Sequence, residues 1–409
     1  MADRTKSRRT SFRSICFDCR ALEDKKMNFD LNEEQQMIMD QAAKFVANET
    51  PVSRFRKLRE TERGWDLDMW GKMAEQGWLA IAIPEDQGGF GGSFVDLAII
   101  LEQLGRGLVP EPFIASVVLG AGILSEHGDE AQRDSFLTPM IEGQTSLAFA
   151  YAESQSRYNL SDCLTKAVKS GDGWTISGEK IWVLNGHAAD QIIVAARTGG
   201  SQFDESGLSL FIVDGDAKGL QRILVPGMDG QRTAVLRFEG VQVGADRLLG
   251  RDGDALGIIE KAVDRGAAAA CAEGLGHIRE LFERTVAYLK EREQFGVPIG
   301  SFQVLQHIAS DMYAEMELCY SASILASIQV DHPDADTRKA EVSAAKLQLS
   351  DGGWMVSKNA IQLFGGIGVT DEQDEGLFFK RLRVLNSVFG DADWHVSRFQ
   401  SLKGFEAID

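Results

Sequence analysis

The segment QLFGGIGVTDEQDEGLFFKRLRVLNSVFGD, residues 362–391, decides the fold. It starts at Gln362 and continues into Gly365, Gly366 and Gly368, whose missing side chains let backbone amides approach a ligand closely. A helix that only ended here would need one glycine and not three. The cluster, with Gln362 beside it as a hydrogen-bonding side chain, therefore predicts a ligand-binding turn.

Composition limits the remaining possibilities. A chain of 409 residues predicts two or three domains. Residues 1–26 hold eight Lys/Arg against four Asp/Glu, so the rest holds 35 against 57, a net −22 within the total of −18. The strongly negative charge of residues 27–409 disfavours binding to the phosphate backbone of nucleic acids. No apolar run reaches the roughly 18 residues of a membrane span. Five cysteines, an odd and sparse number, predict a reducing, cytoplasmic location.

The first 26 residues have their own character. The segment MADRTKSRRTSFRS is rich in Arg and Ser, which is weakly typical of a mitochondrial transit peptide. We favour a disordered extension or a start codon assigned too early, because a clean amphipathic helical pattern follows Met27 at once. Cys16 and Cys19 form a lone CxxC without a second pair. The six histidines are scattered, so no metal site is predicted.

Three zones follow the tail and predict an α+β chain. Residues 27–146 have helical periodicity, as in FVDLAIILEQLGRGL. Residues 147–248 change to short strand-like runs separated by turns, which favours a middle β-barrel or sandwich. Residues 249–409 return to long amphipathic helices with short connections, which indicates a C-terminal four-helix bundle.

A second motif, REQFGVPIGSFQ, contains Arg292, Phe295 and Gln303. A guanidinium fork suits a pyrophosphate, and an aromatic ring suits an adenine or flavin face. With QLFGGIG and the helix–strand–helix order, this motif resembles the acyl-CoA dehydrogenase family over nearly all of residues 27–400. The resemblance implies that both motifs bind FAD, with REQFG reaching the FAD of a neighbouring subunit. Arg292 alone would also fit a surface salt bridge.

Two middle-zone segments match the family in part. In GEKIWVLNG, Trp182 resembles the tryptophan that packs on the flavin, although a plain core residue is the alternative. Leu184 stands where the family commonly has a threonine, which loses a hydroxyl hydrogen bond. In FAYAESQSRYNL, Tyr151 and Ala152 replace a Leu-Thr pair, and Arg157–Asn159 replaces Gly-Ser-Asp. Backbone contacts to the flavin can survive these changes, whereas side-chain contacts to flavin and thioester are expected to be lost.

The family's reaction needs a carboxylate that removes the α-proton of an acyl thioester. One family position for this base falls at Phe389 or Gly390, which leaves Asp391 as the neighbouring candidate. A second family position, on the first long bundle helix, resembles Asp264-Arg265, but counting along the helix places Gly266 there. Glu273 is a further candidate on that helix, with a structural contact as the favoured alternative.

The C-terminal segment looks most like the small subunit of pimeloyl-CoA dehydrogenases and like subunits of paired steroid-type dehydrogenases. The resemblance implies FAD, an acyl-CoA substrate and an electron-transfer flavoprotein or similar acceptor. Two assemblies stay open: a homotetramer that uses Asp391, and an α2β2 pair in which a second acyl-CoA dehydrogenase-like subunit supplies the base. A flavin oxygenase or oxidase on the same scaffold is a third alternative. Dicarboxylyl, fatty acyl and steroid side-chain thioesters all stay possible.

Overall fold

The first described helices begin at capping residues that the sequence supplies. The computed structural model describes residues 30–402; the predicted tail, with Cys16 and Cys19, lies outside the described residues. Asn32 and Gln35 form a reciprocal capping box at the first helix. The helical pattern LDMWGKMAEQGW stops early, at Glu75, because Gly77 turns the chain with φ 78°. The helices of this part are α1 (Glu33–Glu49), α2 (Val52–Leu58), α3 (Leu67–Glu75), α4 (Phe94–Arg106), α5 (Gly122–His127), α6 (Glu130–Gln132) and α7 (Thr138–Ile141), with π-helical turns at Ile114–Ala121 and Arg133–Leu137.

The middle part is one sheet, described with eight strands in the order β6-β7-β3-β2-β4-β5-β8, and β1 pairs with β4. Most pairs are antiparallel, whereas β1 runs parallel to β4. Alternate residues of β4 face two different cores: Ile193 packs toward the helices and Ile192 toward the opposite face of the sheet. The strands are β1 (Leu147–Ala150), β2 (Lys166–Ser170), β3 (Gly173–Leu184), β4 (Gln191–Arg197), β5 (Leu208–Asp214), β6 (Leu220–Pro226), β7 (Arg232–Val243) and β8 (Leu248–Leu249).

The last part is a helical bundle whose first helix, α8, packs closely against α4. A Cβ on Gly105 of α4 would lie 2.2 Å from the Glu273 carbonyl oxygen, and one on Gly276 would lie 1.9 Å from that of Glu102. Only glycines permit this crossing of the two backbones. The elements are α8 (Leu256–Glu291), β9 (Glu293–Gln294), β10 (Val297–Pro298), α9 (Gln303–Gln329), α10 (Ala335–Phe364), α11 (Glu375–Ser387) and α12 (Ala392–Gln400). The predicted α+β order of helices, sheet and helices is confirmed.

Buried charges join the parts. Arg381 of α11 donates from Nη1 to Asp229 of the β6–β7 turn at 2.9 Å, and from Nε to Glu273 of α8 at 2.7 Å. All three side chains are at least nine-tenths buried. Removal of one member would leave a buried charge without its partner, which is strongly destabilising. Glu273 therefore makes the structural contact that the sequence favoured. Within residues 30–402, no helix combines the length and the apolar character needed to span a bilayer.

Candidate functional site

The two predicted FAD motifs meet at one end of the bundle. Helix α8 ends at Glu291, and Arg292 caps it through a backbone N–H bond to the Tyr288 carbonyl. The Tyr288 ring stacks on Phe364 with centroids 4.2 Å apart and planes 13° apart. Phe364 is the last residue of α10 and precedes the glycine cluster directly. This stacked pair holds the two motifs beside each other.

A short hairpin projects from this end. Strands β9 and β10 pair antiparallel, with Phe295 (φ 57°) and Gly296 (φ 80°) forming the turn. Phe295 is 93% exposed, and its ring meets the edge of Phe302, with the two centroids 6.2 Å apart. Gln303 follows at the exposed start of α9. The tight turn leaves the face of this aromatic ring accessible to a ligand or a second subunit.

The glycine-rich turn is open to the outside. Gly365 has φ 67° and ψ −143°, a conformation that side-chain-bearing residues rarely adopt. A Cβ on Gly365 or Gly366 would meet no atom within 4 Å, so packing within the described residues does not explain either glycine. Gln362 is exposed on the last turn of α10. The space outside these residues fits a ligand held against the backbone.

Trp182 is displayed by a β-bulge. The register between β3 and β7 shifts between Lys180 and Val183, and Trp182 takes φ 54°, which is unusual for an aromatic residue. Its side chain is 42% exposed, which argues against the alternative of a plain core residue. Leu184, at the end of the same strand, is partly buried and packs against the main core.

The backbone around Tyr151 and Ala152 is held by a buried ion pair. Lys180 Nζ lies 2.7 Å from Glu153 Oε1 and donates to the Tyr151 carbonyl at 3.1 Å. The Ile181 N–H donates to the Ala152 carbonyl at 2.9 Å. Burial by itself would raise the pKa of Glu153, but the Lys180 ammonium lowers it to about 2. The segment is therefore fixed against the Trp182 bulge whatever side chains it carries.

Tyr158 joins this segment to the C-terminal stretch. Its hydroxyl donates to the Ser387 carbonyl at 3.1 Å, and its ring lies 5.6 Å from Trp394. Asp391 caps α12 by accepting the Trp394 N–H at 2.9 Å. Burial, and then Asp391 itself, raises the pKa of Tyr158. Tyr158, Asp391 and Trp394 line a cleft of about 950 Å³ between the sheet and the bundle. Asp391, the predicted base, thus borders a cleft but already serves as a helix cap.

The two family positions for the base coincide in space. A Cβ on Gly266 of α8 would lie 2.7 Å from Cε1 and Cζ of Phe389, so the phenyl ring covers that glycine. Phe389 is buried with φ 62°. Gly390 has φ 112°, and a Cβ there would lie 2.5 Å from Trp394 Cε3 and 2.7 Å from His395 Nε2. Neither position carries a carboxylate, and neither accepts one without rearrangement of its neighbours.

The third position suggested by the sequence is also occupied by ion pairs. Asp264 is fully buried and accepts from Arg338 Nε at 2.9 Å, with Arg398 Nη2 at 2.6 Å on its other oxygen. Its neighbour Arg265 lies 2.7 Å from Asp331 and 2.6 Å from Glu126. The Asp264-Arg265 pair therefore links helices and is not available as a base.

Lys346 and His395 fix the loop of residues 387–391, which contains one family position for the base. Neither residue was predicted from the sequence. Lys346 of α10 is fully buried and donates from Nζ to the Leu385 and Val388 carbonyls at 2.5 and 2.9 Å. Burial lowers its pKa to about 8. His395 Nε2 lies 3.1 Å from the Phe389 carbonyl, and burial lowers the His395 pKa to about 2. The neutral imidazole therefore donates this bond. In the sequence, the only sign of this arrangement is a lysine within an apolar helical pattern.

Among the described residues, no three His, Cys, Asp or Glu side chains gather closely enough to hold a metal ion. The donors that the site offers are backbone amides, guanidinium groups and aromatic faces, which suit an organic cofactor with phosphates.

Comparison with known proteins gives matches along most of the chain. Residues 32–144, 148–241 and 254–399 match the families described as acyl-CoA dehydrogenase N-terminal, middle and C-terminal domain. The chain is 32% identical over 352 residues to a probable acyl-CoA dehydrogenase, YngJ, of Bacillus subtilis, covering 85% of this chain and 91% of the relative.

Two solved structures are similar as well. A variant of the Tcur3481–Tcur3483 steroid ACAD has 29% identity and a TM-score of 0.80, covering 90% of this chain and 96% of the other. Butyryl-CoA dehydrogenase from Megasphaera elsdenii has 26% identity and a TM-score of 0.84, covering 91% and 98%.

Proposed function

The chain belongs to the acyl-CoA dehydrogenase family of FAD-dependent oxidoreductases, and from this premise we propose that it is the base-lacking subunit of a heteromeric enzyme. The reaction is α,β-dehydrogenation of an acyl-CoA thioester. Tetramers are typical of the family. Under this proposal the chain completes an FAD site, and a second acyl-CoA dehydrogenase-like subunit in an α2β2 assembly removes the α-proton.

The described residues fit FAD. The open backbone at Gly365 and Gly366, the exposed Phe295 ring and the Arg292 guanidinium lie at one end of the bundle and suit the adenosine and pyrophosphate. Gln303 and Gln362 add exposed amide side chains there. Trp182, displayed by its bulge, suits a flavin face, and the fixed backbone at Tyr151, Ala152 and Leu184 suits its edge. FAD, when bound, supplies the hydride acceptor.

The contact of Gly266 with Phe389 carries the proposal. A base must lie within hydrogen-bond reach of the α-carbon proton, in a dry place that raises its pKa. The point where both family positions meet is dry, but it contains a phenyl ring over a glycine. Lys346 and His395 hold the loop from the bundle side, and its one acidic residue, Asp391, caps α12 instead of contacting Gly266. We infer that the carboxylate comes from another chain.

Asp391 is the second candidate, because it borders the cleft beside Tyr158. In that version the chain forms a homotetramer and uses Asp391 as its own base. The cap bond from the Trp394 N–H would then have to be retained or broken during turnover. We also propose an electron-transfer flavoprotein or similar acceptor as electron partner, and a cytoplasmic location.

The test is expression of the chain alone and together with an acyl-CoA dehydrogenase homologue from its own genome, neighbouring genes being tried first. We expect the two to co-purify and carry FAD together, with ferrocenium reduction by an acyl-CoA panel at least about 100-fold faster than for the chain alone, the lower range for loss of a general base. Full turnover by the chain alone, abolished by Asp391→Asn, would establish the self-sufficient version. Rapid oxygen consumption by the reduced protein would identify an oxidase instead.

A further inference from the structure

The glycine-rich turn, residues 365–369, lies at the surface of the bundle end. A Cβ on Gly365 or Gly366 would meet no atom within 4 Å, so this part of the turn has open space around it. Thr370, which follows the turn directly, donates its hydroxyl to the Ile367 carbonyl at 2.8 Å, a bond within the same short segment. The position of the turn is therefore set largely by the residues at its two ends.

The two ends of the turn are anchored differently. At its start, Phe364 stacks on Tyr288 of α8. Its end continues into the acidic loop, residues 371–375, which has the sequence DEQDE and contains four carboxylates in five positions. A pyrophosphate is an anion, so a loop of this charge beside a turn that binds FAD would repel the cofactor unless cations compensate it.

Two arginines of α2 bind the first aspartate of the acidic loop. Arg59 donates from Nη1 and Nη2 to Oδ1 and Oδ2 of Asp371 at 3.2 and 2.8 Å, which is the paired geometry that a guanidinium and a carboxylate prefer. Arg56 Nη1 lies 3.1 Å from Asp371 Oδ2. The hydrogen bonds from Arg59 lower the pKa of Asp371 to about 2, so this carboxylate is charged at neutral pH.

The second aspartate of the loop is held from two sides. Arg56 donates from Nε and Nη2 to Oδ1 of Asp374 at 3.2 and 2.9 Å, and from Nη2 to the Gln373 carbonyl at 2.9 Å. Arg284 of α8 donates from Nη1 to Oδ2 of Asp374 at 3.0 Å. Arg56 therefore bridges the two aspartates, and the loop is tied to the N-terminal helices and to the bundle at once.

The two glutamates of the loop have other surroundings. Glu375 is buried, and burial raises its pKa, which reduces its negative charge. Glu372 is exposed and has no hydrogen-bond or ion-pair partner in the part of the chain that the structure describes. Glu372 thus carries the same charge as its neighbour Asp371 without sharing its contacts.

We propose that a clasp of five side chains positions the glycine-rich turn for FAD. Its members are Arg56, Arg59, Arg284, Asp371 and Asp374. The proposal rests on the proposed function, which assigns the turn to FAD, and it makes the three arginines positioning residues. Isolated exposed ion pairs contribute little to folding, but these pairs form a network on one short loop. Opening the clasp should therefore weaken cofactor binding more than it weakens the fold.

The test is FAD affinity in the co-purified assembly, measured by flavin release on dilution. Asp371→Ala opens the clasp, whereas Glu372→Ala removes the same charge from the next residue and leaves the clasp intact. Since both changes remove a negative charge near the pyrophosphate, electrostatics alone would tighten FAD binding in both. We expect Asp371→Ala to weaken binding at least about fivefold, the lower range for coupling between two sites, and Glu372→Ala not to weaken it.

Two further measurements separate positioning from charge and from general damage. Arg59→Gln removes the opposite charge, yet it should weaken FAD binding as Asp371→Ala does. Excess FAD should restore the turnover of Asp371→Ala, because mass action fills a weakened but intact site. Opposite shifts for Arg59→Gln and Asp371→Ala, equal affinities for Asp371→Ala and Glu372→Ala, or turnover that excess FAD does not restore would each overturn the proposal.

Gly366→Val distinguishes failure of the clasp from failure of the FAD assignment. The open space at this position accommodates a side chain within the chain itself, and that side chain would fill the space proposed for the ligand. Weaker FAD binding in Gly366→Val but not in Asp371→Ala would mean that the turn binds FAD and the clasp does not position it. Unchanged FAD binding in Gly366→Val would overturn the assignment of the turn to FAD, and the clasp proposal with it.

Discussion

Two regions of the molecule differ in exposure and packing. One is the end of the bundle, and the other is the crossing of α8 with residues 387–391. At the end of the bundle, Arg292 and Phe295 are exposed, and the glycine turn is open to the outside. At the crossing, Phe389 fills the space over Gly266 where a carboxylate would stand. The first region faces outward. The second faces inward and is tightly packed.

Under the proposed function, the two tasks of the family are divided between two subunits. Cofactor binding depends on a surface that a neighbouring subunit can use. Proton abstraction depends on one buried side chain at one point, and losing it frees that point for packing. A subunit can therefore keep the first and give up the second, provided that another subunit supplies the base.

The largest expected effect comes from placing a carboxylate at the crossing and removing the ring that covers it. Gly266→Glu combined with Phe389→Gly places a carboxylate in a dry site and removes the ring that covers it; glycine also suits φ 62° at position 389. We expect the chain alone to gain at least about 100-fold in ferrocenium reduction with an acyl-CoA.

The control for this variant is Gly266→Gln with Phe389→Gly, which has the same shape without the base. A flavin spectrum verifies that each variant retains its cofactor. Equal rates for the Glu and Gln variants would show that the crossing is not the reaction point.

The surface at the end of the bundle is tested by Arg292→Gln. If this guanidinium meets the pyrophosphate, its loss removes a charge-assisted hydrogen bond worth roughly 1.5–3 kcal/mol. FAD affinity should fall roughly 10- to 100-fold in the co-purified assembly, measured by flavin release on dilution. Arg237→Gln is the control, because Arg237 is an exposed sheet arginine paired with Glu179. Unchanged FAD retention in Arg292→Gln would remove this surface from the cofactor site.

Lys346, which fixes the loop at the crossing, should make the free energy of unfolding depend on pH. Its pKa is about 8 in the folded chain against an ordinary 10.5, so the unfolded chain binds more protons between these values. The free energy of unfolding should therefore rise with pH in that window, by up to about 1.4 kcal/mol per unit. Urea unfolding at about pH 7.5 and pH 9.5 measures it. Lys346→Met should lack this increment, and equal slopes for both proteins would contradict the assignment.

The smallest expected effect separates the two base candidates. Asp391→Asn keeps a good N-cap, so the stability of α12 should change by only a few tenths of a kcal/mol. Turnover of the partnered enzyme should stay within about twofold of wild type. A loss of turnover of about 100-fold or more would instead make Asp391 the base. The contact of Phe389 with Gly266 would then no longer be evidence for a base from another chain.

Much of the fold was predictable from local patterns. Strand runs such as GWTISGEKIWVL and the long helical periods appear as β3 and α8–α11, because alternation and 3.6-residue periodicity are properties of neighbouring residues. The turn at Gly77, which ended a helix early, shows the limit of that approach. The β-bulge that exposes Trp182 arises from pairing with β7 and leaves no mark in the β3 sequence alone.

By itself the sequence determined the order of the three structural parts, the cofactor motifs and the absence of an acidic residue at positions 266, 389 and 390. Only the tertiary structure decided that these positions are one place, that Asp264 and Glu273 are committed to ion pairs, and that Lys346 and His395 fix the loop. The physical reason is that glycine turns and periodicity act through the local backbone. A base position is defined by side chains that meet across the chain, and their meeting depends on how the helices pack.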